Sequence, residues 1–328
     1  MLRLMFVILV WVLSLQGIAK DKVKIGFVLS TLQEERYQKD QRFFQEEANR
    51  LGFEAVMVSA ENNPQTQTAK VENLLSLGVK ALVIQPVNSQ AAANLVKLAH
   101  EDKVPVVAYD RMIADAPVDF YVTQDSFQVG VLQAEAAAKA TNGKGNFIIL
   151  MGQAGHSVAN EITKGVKSVF SKHPKIKIVV EKNHENWSAS LAMATVENAL
   201  TKYKNDIAAI IANNSGMAQG AVQALEEQGL TGKVFVAGAD ADLASIKYIV
   251  AGKQQFEVLK DIAPLAKTSA KIAFELATGK VPVTKQKTMS GKFSVPTEAT
   301  PVYAINKENL EEKIFKTGFH DRKAVYTK

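Results

Sequence analysis

Cysteine is absent from this chain of 328 residues. Its absence excludes disulfide bonds, a thiolate nucleophile, cysteine-ligated zinc, iron–sulfur clusters and a lipid anchor attached through cysteine. Aromatic residues are sparse at 7%, and the 19 Gly and 9 Pro are ordinary numbers for a globular chain. Collagen-like and low-complexity architectures are therefore excluded, and the 47% of hydrophobic residues can build a sizeable core.

Long apolar runs are also lacking, except for the segment 4–13. This run is too short to cross a bilayer, and it lies between Arg3 and the small-residue sequence Gly17-Ile18-Ala19, which is the pattern of a secretory signal peptide. We expect cleavage after Ala19 and an exported, soluble mature chain of about two domains. Because it has neither anchor nor disulfides, we expect such a chain to be retained in the periplasm of a Gram-negative cell.

The excess of one charge is small, since 39 Lys and Arg oppose 33 Asp and Glu for a net charge of +6. The basic residues are interspersed with acidic ones, which is typical of a solvated surface. A face that binds nucleic acid would need a basic stripe with interleaved aromatic residues, and the sequence offers none. We therefore expect no nucleic-acid partner.

Strand-length hydrophobic runs alternate with helical patterns along the chain, and this alternation predicts an α/β fold with parallel sheets. Most of the runs are continuously apolar, which is typical of strands that helices cover on both faces. The predicted strands are 23–29, 55–58, 81–84, 104–109, 120–123, 146–150, 176–180, 208–212, 234–237 and 256–259.

An internal repeat divides the chain into two similar halves. The sequence VENLL at 71–75 recurs as VENAL at 196–200, and the strand that ends at Asp110 matches the strand that ends at Asp240. The repeat predicts two lobes of the same topology. Because open parallel sheets bind ligands beyond the carboxyl ends of their strands, we expect both carboxylates to face a single cleft.

Motifs for catalysis and metal binding are missing. The sequence has no G-x-S-x-G elbow, Walker A loop or H-E-x-x-H pair, and its 5 His are scattered. We therefore predict no metal and no cofactor. Two alternatives stay open: a phosphate cradle at the two-glycine turn 152–155, and acid–base catalysis by Asp240 and Asp242. For Asp242 we favour capping of the helix predicted at 243–250.

Three segments carry a resemblance to a known family: ERYQKD at 35–40, AYDRMI at 108–113 and GADADLASIK at 238–247. Over essentially the whole mature length, the chain resembles the ribose/galactose-type periplasmic sugar-binding proteins of bacterial ABC transporters, and their xylose-binding branch in particular. The resemblance implies a type I periplasmic binding protein fold, in which three crossovers join two doubly wound parallel-sheet lobes around a ligand cleft. It places the N-terminal lobe at 20–124 and 261–296, and the C-terminal lobe at 125–260 and 297–328.

The resemblance also implies binding rather than catalysis. A monosaccharide, with D-xylose favoured, would be held between closing lobes and delivered to a membrane permease. Ribose, arabinose, glucose or galactose is the alternative ligand, a chemoreceptor is a further partner compatible with transport, and we expect a monomer.

Two other classes of protein deserve comparison with this one. The sensor domain of a sugar-responsive repressor shares the two-lobed fold, but it needs a DNA-binding segment at the place that the signal peptide occupies here. An exported glycosidase would use Asp110 and Asp240 as its pair of carboxylates, and release of product from an oligosaccharide would identify it.

Transferred residue by residue, the resemblance implies a set of sugar contacts. Asp110 would accept hydrogen bonds from neighbouring hydroxyls, and Arg111 would donate a planar fork. Trp187, the only Trp beyond the signal segment, would stack on the C–H face of a sugar ring. The other polar contacts implied are Arg36, Lys39, Asn160, Asn214, Asp240 and Lys260.

Simpler structural roles are the alternative for most of these residues. They are a strand-end ion pair for Asp110 with Arg111, a solvated helix start for Arg36 and Lys39, a helix cap for Asn214, a packed loop anchor for Trp187 and a surface position for Lys260.

The loop 151–160 departs from the xylose-binding pattern. It lacks an expected D-N-N cluster and is closer to the corresponding loop of ribose-type binders. Asn160 is the best positional match for the missing contact, and His156 is a weaker candidate in this loop. Outside the loop, Tyr37 is a weaker candidate for a sugar contact. A changed sugar preference would originate in this loop.

Overall fold

The computed structural model describes residues 22–327, and the predicted signal segment 1–19 lies outside the described residues. Within 22–327, no helix is both long enough and apolar enough to cross a membrane. This part of the chain forms two sheets with helices packed on them, and each sheet with its helices is called a lobe below. The predicted α/β class is confirmed.

The first lobe is built on five parallel strands in the order β2-β1-β3-β4-β5. Apolar side chains fill both faces of the sheet, which explains why its central strands are continuously hydrophobic. The elements are β1 (Lys24–Leu29), α1 (Arg36–Leu51), β2 (Glu54–Ser59), α2 (Pro64–Ser76), β3 (Ala81–Ile84), α3 (Ala93–Glu101), β4 (Val106–Tyr109) and β5 (Phe120–Gln124).

The second lobe repeats this arrangement, with parallel strands in the order β7-β6-β8-β9-β10. The two orders are the same when each lobe is counted from its own first strand, so the predicted repeat of topology is confirmed. The elements are α4 (Ser126–Ala140), β6 (Lys144–Met151), α5 (Ser157–Phe170), β7 (Lys175–Asn183), α6 (Ala189–Lys202), β8 (Ala209–Ala212), α7 (Ser215–Glu227), β9 (Phe235–Ala239), α8 (Leu243–Val250) and β10 (Phe256–Lys260).

After β10 the chain returns to the first lobe and then leaves it again. Helix α9 (Ile262–Ala277) packs against α1, and β11 (Gln286–Ser290) and β12 (Phe293–Thr300) extend the first sheet beside β5. Only Pro301 separates β12 from β13 (Val302–Ile305), which pairs with β10 in the second sheet. Helix α10 (Arg322–Tyr326) packs on the second lobe. The predicted boundary between 296 and 297 thus falls inside β12, which stays in the first sheet up to Thr300.

Two glycines bring α4 and α5 into close contact in the second lobe. A Cβ added at Gly130 would overlap the carbonyl oxygen of Ile162, and a Cβ added at Gly165 would overlap that of Phe127. Each helix therefore lays its glycine against the backbone of the other. The contact fixes α5 against α4, and Val158 near the start of α5 lines the cavity described below.

We expect Gly165→Ala to destabilise the protein by about 1–3 kcal/mol, because the new methyl group must push two helix backbones apart. The change in free energy of unfolding can be measured by urea titration. Gly216→Ala is the matched control, since a Cβ there meets no atom closer than 3.6 Å. It should leave stability unchanged or raise it by up to about 1 kcal/mol through helix propensity. Equal losses in both variants would contradict the close-packing interpretation.

Candidate functional site

The two sheets direct equivalent carboxylates into the cleft between the lobes. Asp110 follows β4 and Asp240 follows β9, and their backbone N–H groups donate to the neighbouring strands, at Val122 O (2.8 Å) and Val258 O (2.9 Å). Both aspartates have positive φ angles, 61° and 106°. Such angles are uncommon for residues other than glycine, and they turn the chain sharply at each strand end.

A narrow cavity lies between the lobes where these two carboxylates meet. Eight of its lining residues are among those singled out from the sequence. They are Arg36, Tyr37, Asp110, Arg111, Trp187, Asn214, Asp240 and Lys260. The remaining lining residues are Glu34 and Val158, which the sequence-based reasoning did not name. The only feature of the sequence that could have indicated Glu34 as a cavity residue is its position two residues before Arg36.

Arg36 connects carboxylates of both lobes. Its Nε lies 3.4 Å from Asp40 Oδ2, and its Nη1 lies 3.4 Å from Asp110 Oδ1 and 3.8 Å from Asp240 Oδ1. Burial alone would lower the pKa of Arg36, but the surrounding carboxylates, Asp110 first, raise it well above its usual value. The guanidinium is therefore a permanent charge at the centre of the site.

The carboxylate of Asp110 is held ionised by neighbouring cations. Burial alone would raise the pKa of Asp110, but the charges on Arg36, Lys260 and Arg111 outweigh burial and lower it. Lys260 Nζ lies 2.6 Å from Asp240 Oδ1. An ionised carboxylate only accepts hydrogen bonds, so Asp110 is suited to hydroxyl groups of a ligand.

Arg111 is held in place by neutral oxygens of the first lobe. Its Nη1 donates to Ser30 Oγ (3.0 Å) and Pro86 O (3.3 Å), and its Nη2 donates to the Tyr37 hydroxyl (3.1 Å). The guanidinium group of Arg111 is thereby fixed at the cavity wall before any ligand binds. Tyr37 lines the cavity and positions Arg111.

Trp187 forms the apolar wall on the side of the second lobe and is 7% exposed. Its Nε1 donates to His156 Nδ1 at 2.7 Å, while His156 Nε2 lies 2.7 Å from Val87 O. These two bonds put the imidazole proton on Nε2. A Cβ at Gly152 would overlap the indole, so this glycine gives the ring its space. His156 supports Trp187 from behind and does not line the cavity.

Two buried polar atoms at the cavity, Glu34 Oε2 and Arg36 Nη2, have no hydrogen-bond partner among residues 22–327. Burial raises the pKa of Glu34, although Arg111 opposes it. Buried polar groups are almost always paired. Their presence on one cavity points to a polar ligand that supplies both donors and acceptors.

Two predicted residues take other places. Lys39 pairs with Glu35 (3.1 Å) and lies 4.1 Å above the Phe319 ring of the second lobe, outside the cavity. Asp242 stands at the start of α8 as predicted, but its side chain caps nothing. The N–H of Leu243 donates instead to Glu35 Oε2 across the cleft (3.1 Å), because the two lobes are in contact here.

The prediction for Asn160 needs a correction. Its side chain is exposed on α5 and does not line the cavity. Successive residues of a helix are rotated by about 100°, so Asn160 lies on nearly the opposite face from Val158, which does reach the cavity. The positional match that selected Asn160 in the loop 151–160 therefore missed the residue that faces the cavity.

Further contacts join the lobes around the cavity. Met112 N donates to Ser157 Oγ (2.9 Å), and Ser89 N donates to Gly155 O (3.2 Å). The two-glycine turn 152–155 is thus part of the contact between the lobes. Among residues 22–327, no three His, Asp or Glu side chains are grouped as metal ligands would be. The site can bind and enclose a polar molecule with fixed donors, acceptors and one aromatic wall.

Comparison with known proteins shows the same architecture elsewhere. The sequence model of one family, described as a periplasmic binding protein domain, matches residues 25–281. The D-xylose-binding periplasmic protein of Escherichia coli is 40% identical over 302 residues, covering 91% of this chain and 91% of that protein. The protein of the same name from Haemophilus influenzae is 36% identical over 318 residues, covering 96% and 95%.

A solved structure agrees with the sequence comparisons. The ABC transporter solute-binding protein of Bacillus halodurans, crystallised with bound myo-inositol, superposes with a TM-score of 0.80 at 31% identity. The match covers 89% of this chain and 97% of that chain. All three relatives are solute- or sugar-binding proteins.

His156 should make the stability of the protein depend on pH. Burial, with help from Arg111, lowers the pKa of its imidazole from an ordinary 6.5 to about 2. As pH falls below 6.5 the unfolded chain takes up a proton that the folded chain does not, so stability is lost. We expect wild type to lose about 2 kcal/mol more than His156→Gln between pH 7 and pH 5, measured by urea unfolding. Parallel losses in the two proteins would refute this assignment.

Proposed function

Because the chain belongs to the periplasmic binding protein family, we propose that it is the sugar receptor of an ABC transporter. It binds one monosaccharide between its lobes, with D-xylose as the favoured ligand, and delivers it to a membrane permease. The favoured ligand rests on the two D-xylose-binding relatives, which align with this chain over nearly its whole length.

The observation that carries the proposal is the cavity that both lobes build. Three cations, Arg36, Arg111 and Lys260, face the carboxyl groups of Asp110, Asp240 and Glu34. A neutral ligand leaves this charge balance intact. Its hydroxyl groups can both donate and accept, which is what the unpartnered atoms of the cavity require.

The apolar part of the lining suits the other face of a sugar. Trp187 offers an indole surface on which C–H groups can stack, and Val158 adds an aliphatic contact beside it. With about ten hydrogen bonds of roughly 0.5–3 kcal/mol each, less the costs of ordering and closure, a net binding free energy near 8 kcal/mol or more is expected. This corresponds to micromolar affinity or tighter.

We propose that the lobes close over the ligand about the three crossings after β5, after β10 and at Pro301. The contacts of Glu35 with Leu243 and of Met112 with Ser157 join the lobes and are lost when these separate. The sugar shifts the population toward the closed form because it contacts both lobes only there. The permease would recognise that closed form.

The pair of Asp110 and Asp240 is suited to binding rather than to acid catalysis. A glycosidase needs one carboxyl group that stays protonated to act as an acid. Asp110 and Asp240 are instead tied to Arg36 and Lys260, and the pKa of Asp110 is lowered. We therefore propose that no bond of the sugar is made or broken.

A fluorescence titration tests the proposal directly. Because Trp187 is the only Trp beyond the signal segment, its emission reports on the cavity wall. We expect saturable binding of D-xylose at micromolar concentrations or below. D-xylose without its 2-hydroxyl should bind at least about tenfold more weakly, since it leaves a buried group unpaired.

Two asparagines of the second lobe provide the matched variants. Asn214→Ala removes a cavity side chain and should weaken binding about tenfold or more, whereas Asn160→Ala changes an exposed side chain and should leave the affinity within about twofold. Calorimetry on both proteins confirms that any loss is one of binding. Preference for ribose or another sugar would revise the ligand, and a folded protein that binds no sugar would end the receptor proposal.

We further propose export to the periplasm with cleavage after Ala19. The mature chain should begin at Lys20, and mass spectrometry of the periplasmic fraction measures this. Ala19→Arg should block cleavage, because the processing enzyme requires a small residue there. A periplasmic product that still starts at Met1 would contradict the proposed site.

A further inference from the structure

Glu257 is a fully buried glutamate in β10 that does not line the cavity. Three donors of the second lobe converge on its carboxylate. Ser215 Oγ (2.9 Å) and Ala241 N (3.1 Å) donate to Oε2, and Gln254 Nε2 (2.6 Å) donates to Oε1. Such a carboxylate costs free energy to bury, so its full set of partners indicates a structural task.

These partners are the immediate neighbours of two cavity residues. Ser215 is the first residue of α7 and follows Asn214, while Ala241 follows Asp240. Ser215 Oγ also accepts from Asp242 N at 3.1 Å, so one network fixes the whole turn after β9. Asp240 and Ala241 both have positive φ angles, 106° and 57°. Residues other than glycine keep such angles only where the surroundings hold them.

The internal repeat provides an independent comparison. Asp110 donates to Val122 as Asp240 donates to Val258, so Tyr121 in β5 is the equivalent of Glu257 in β10. The Tyr121 hydroxyl donates to the carbonyl oxygen of Asp110 at 3.0 Å. The same strand position thus supports the aspartate turn in both lobes, with a neutral hydroxyl in the first and a carboxylate in the second.

We propose that Glu257 is a positioning residue whose ionised carboxylate holds the Asp240 turn and the start of α7 in the geometry that sugar binding requires. This inference rests on the proposed function. All three partners donate to the carboxylate, so a proton on the carboxyl group requires the Ser215 hydroxyl or the Gln254 amide to rotate from donor to acceptor. Loss of the charge therefore loosens the turn.

Ionisation of this group falls in an accessible pH range. Burial raises the pKa of Glu257 to about 7, against the lowering effect of its three donors. The titratable groups that face it are Asp240, which raises the pKa further, and Asp242 on the same turn. His320 holds the turn from the C-terminal segment through Ala241 O (2.7 Å). Gln254 and Ser215 are neutral.

The test compares sugar affinity at pH 8 and pH 6 in wild type, Glu257→Gln and Tyr121→Phe, using the sugar that wild type binds best. We expect the wild-type Kd to rise as the pH falls. Glu257→Gln should bind about tenfold more weakly at pH 8, with no such pH dependence, because its amide N–H meets the amide of Gln254. Tyr121→Phe removes the equivalent support without removing a charge, so it should bind more weakly and keep the wild-type pH dependence.

A ligand-free measurement separates this inference from the proposed function. The amide resonance of Ala241 in ¹⁵N-labelled protein should titrate with a midpoint near pH 7 in wild type and not in Glu257→Gln. The three partners of Glu257 lie in one lobe, so the readout needs neither sugar nor closure. An Ala241 amide that does not titrate, or a Glu257→Gln protein that keeps wild-type affinity and pH dependence, overturns the inference. Failure of wild type to bind any sugar would overturn only the receptor proposal.

Discussion

The burial of Arg36 between carboxylates of both lobes is the constraint on which the site depends. An isolated charge in a protein interior is costly, and it is tolerated here because Asp40, Asp110 and Asp240 surround it. Two of these partners come from the first lobe and one from the second. The guanidinium is therefore better satisfied when the lobes are together, yet its Nη2 has no hydrogen-bond partner within residues 22–327. Lobe closure and ligand binding would thus both supply partners to the guanidinium of Arg36.

The sequence predicted the secondary structure and topology well, because buried parallel strands appear in it as continuous apolar runs. All ten predicted strands are present, and the repeat correctly paired Asp110 with Asp240. Strands β11 and β12 were missed because polar and exposed residues interrupt their apolar pattern, and β13 is a four-residue strand at the edge of the second sheet. Their place in the fold is set by pairing with distant strands, and no local pattern records such pairing.

The cavity was harder to predict than the fold, since side-chain direction decides it. Asn160 and Val158 are two residues apart, and only the phase of α5 shows which of them faces inward. Lys39 shares a helix with Arg36 but points to the ring of Phe319. Glu257 carries no motif, because its partners come together only through the tertiary structure. The sugar contacts themselves stay a prediction.

The single residue between β12 and β13 limits how the lobes can move. Pro301 joins a strand of one sheet directly to a strand of the other, so those two strand ends must stay within one residue's reach of each other. The proline ring also fixes one of the two backbone angles at this joint. Translation of the lobes apart is thereby excluded near Pro301, and rotation about an axis close to it is the motion that remains. A ligand must accordingly enter and leave through the mouth farthest from this joint.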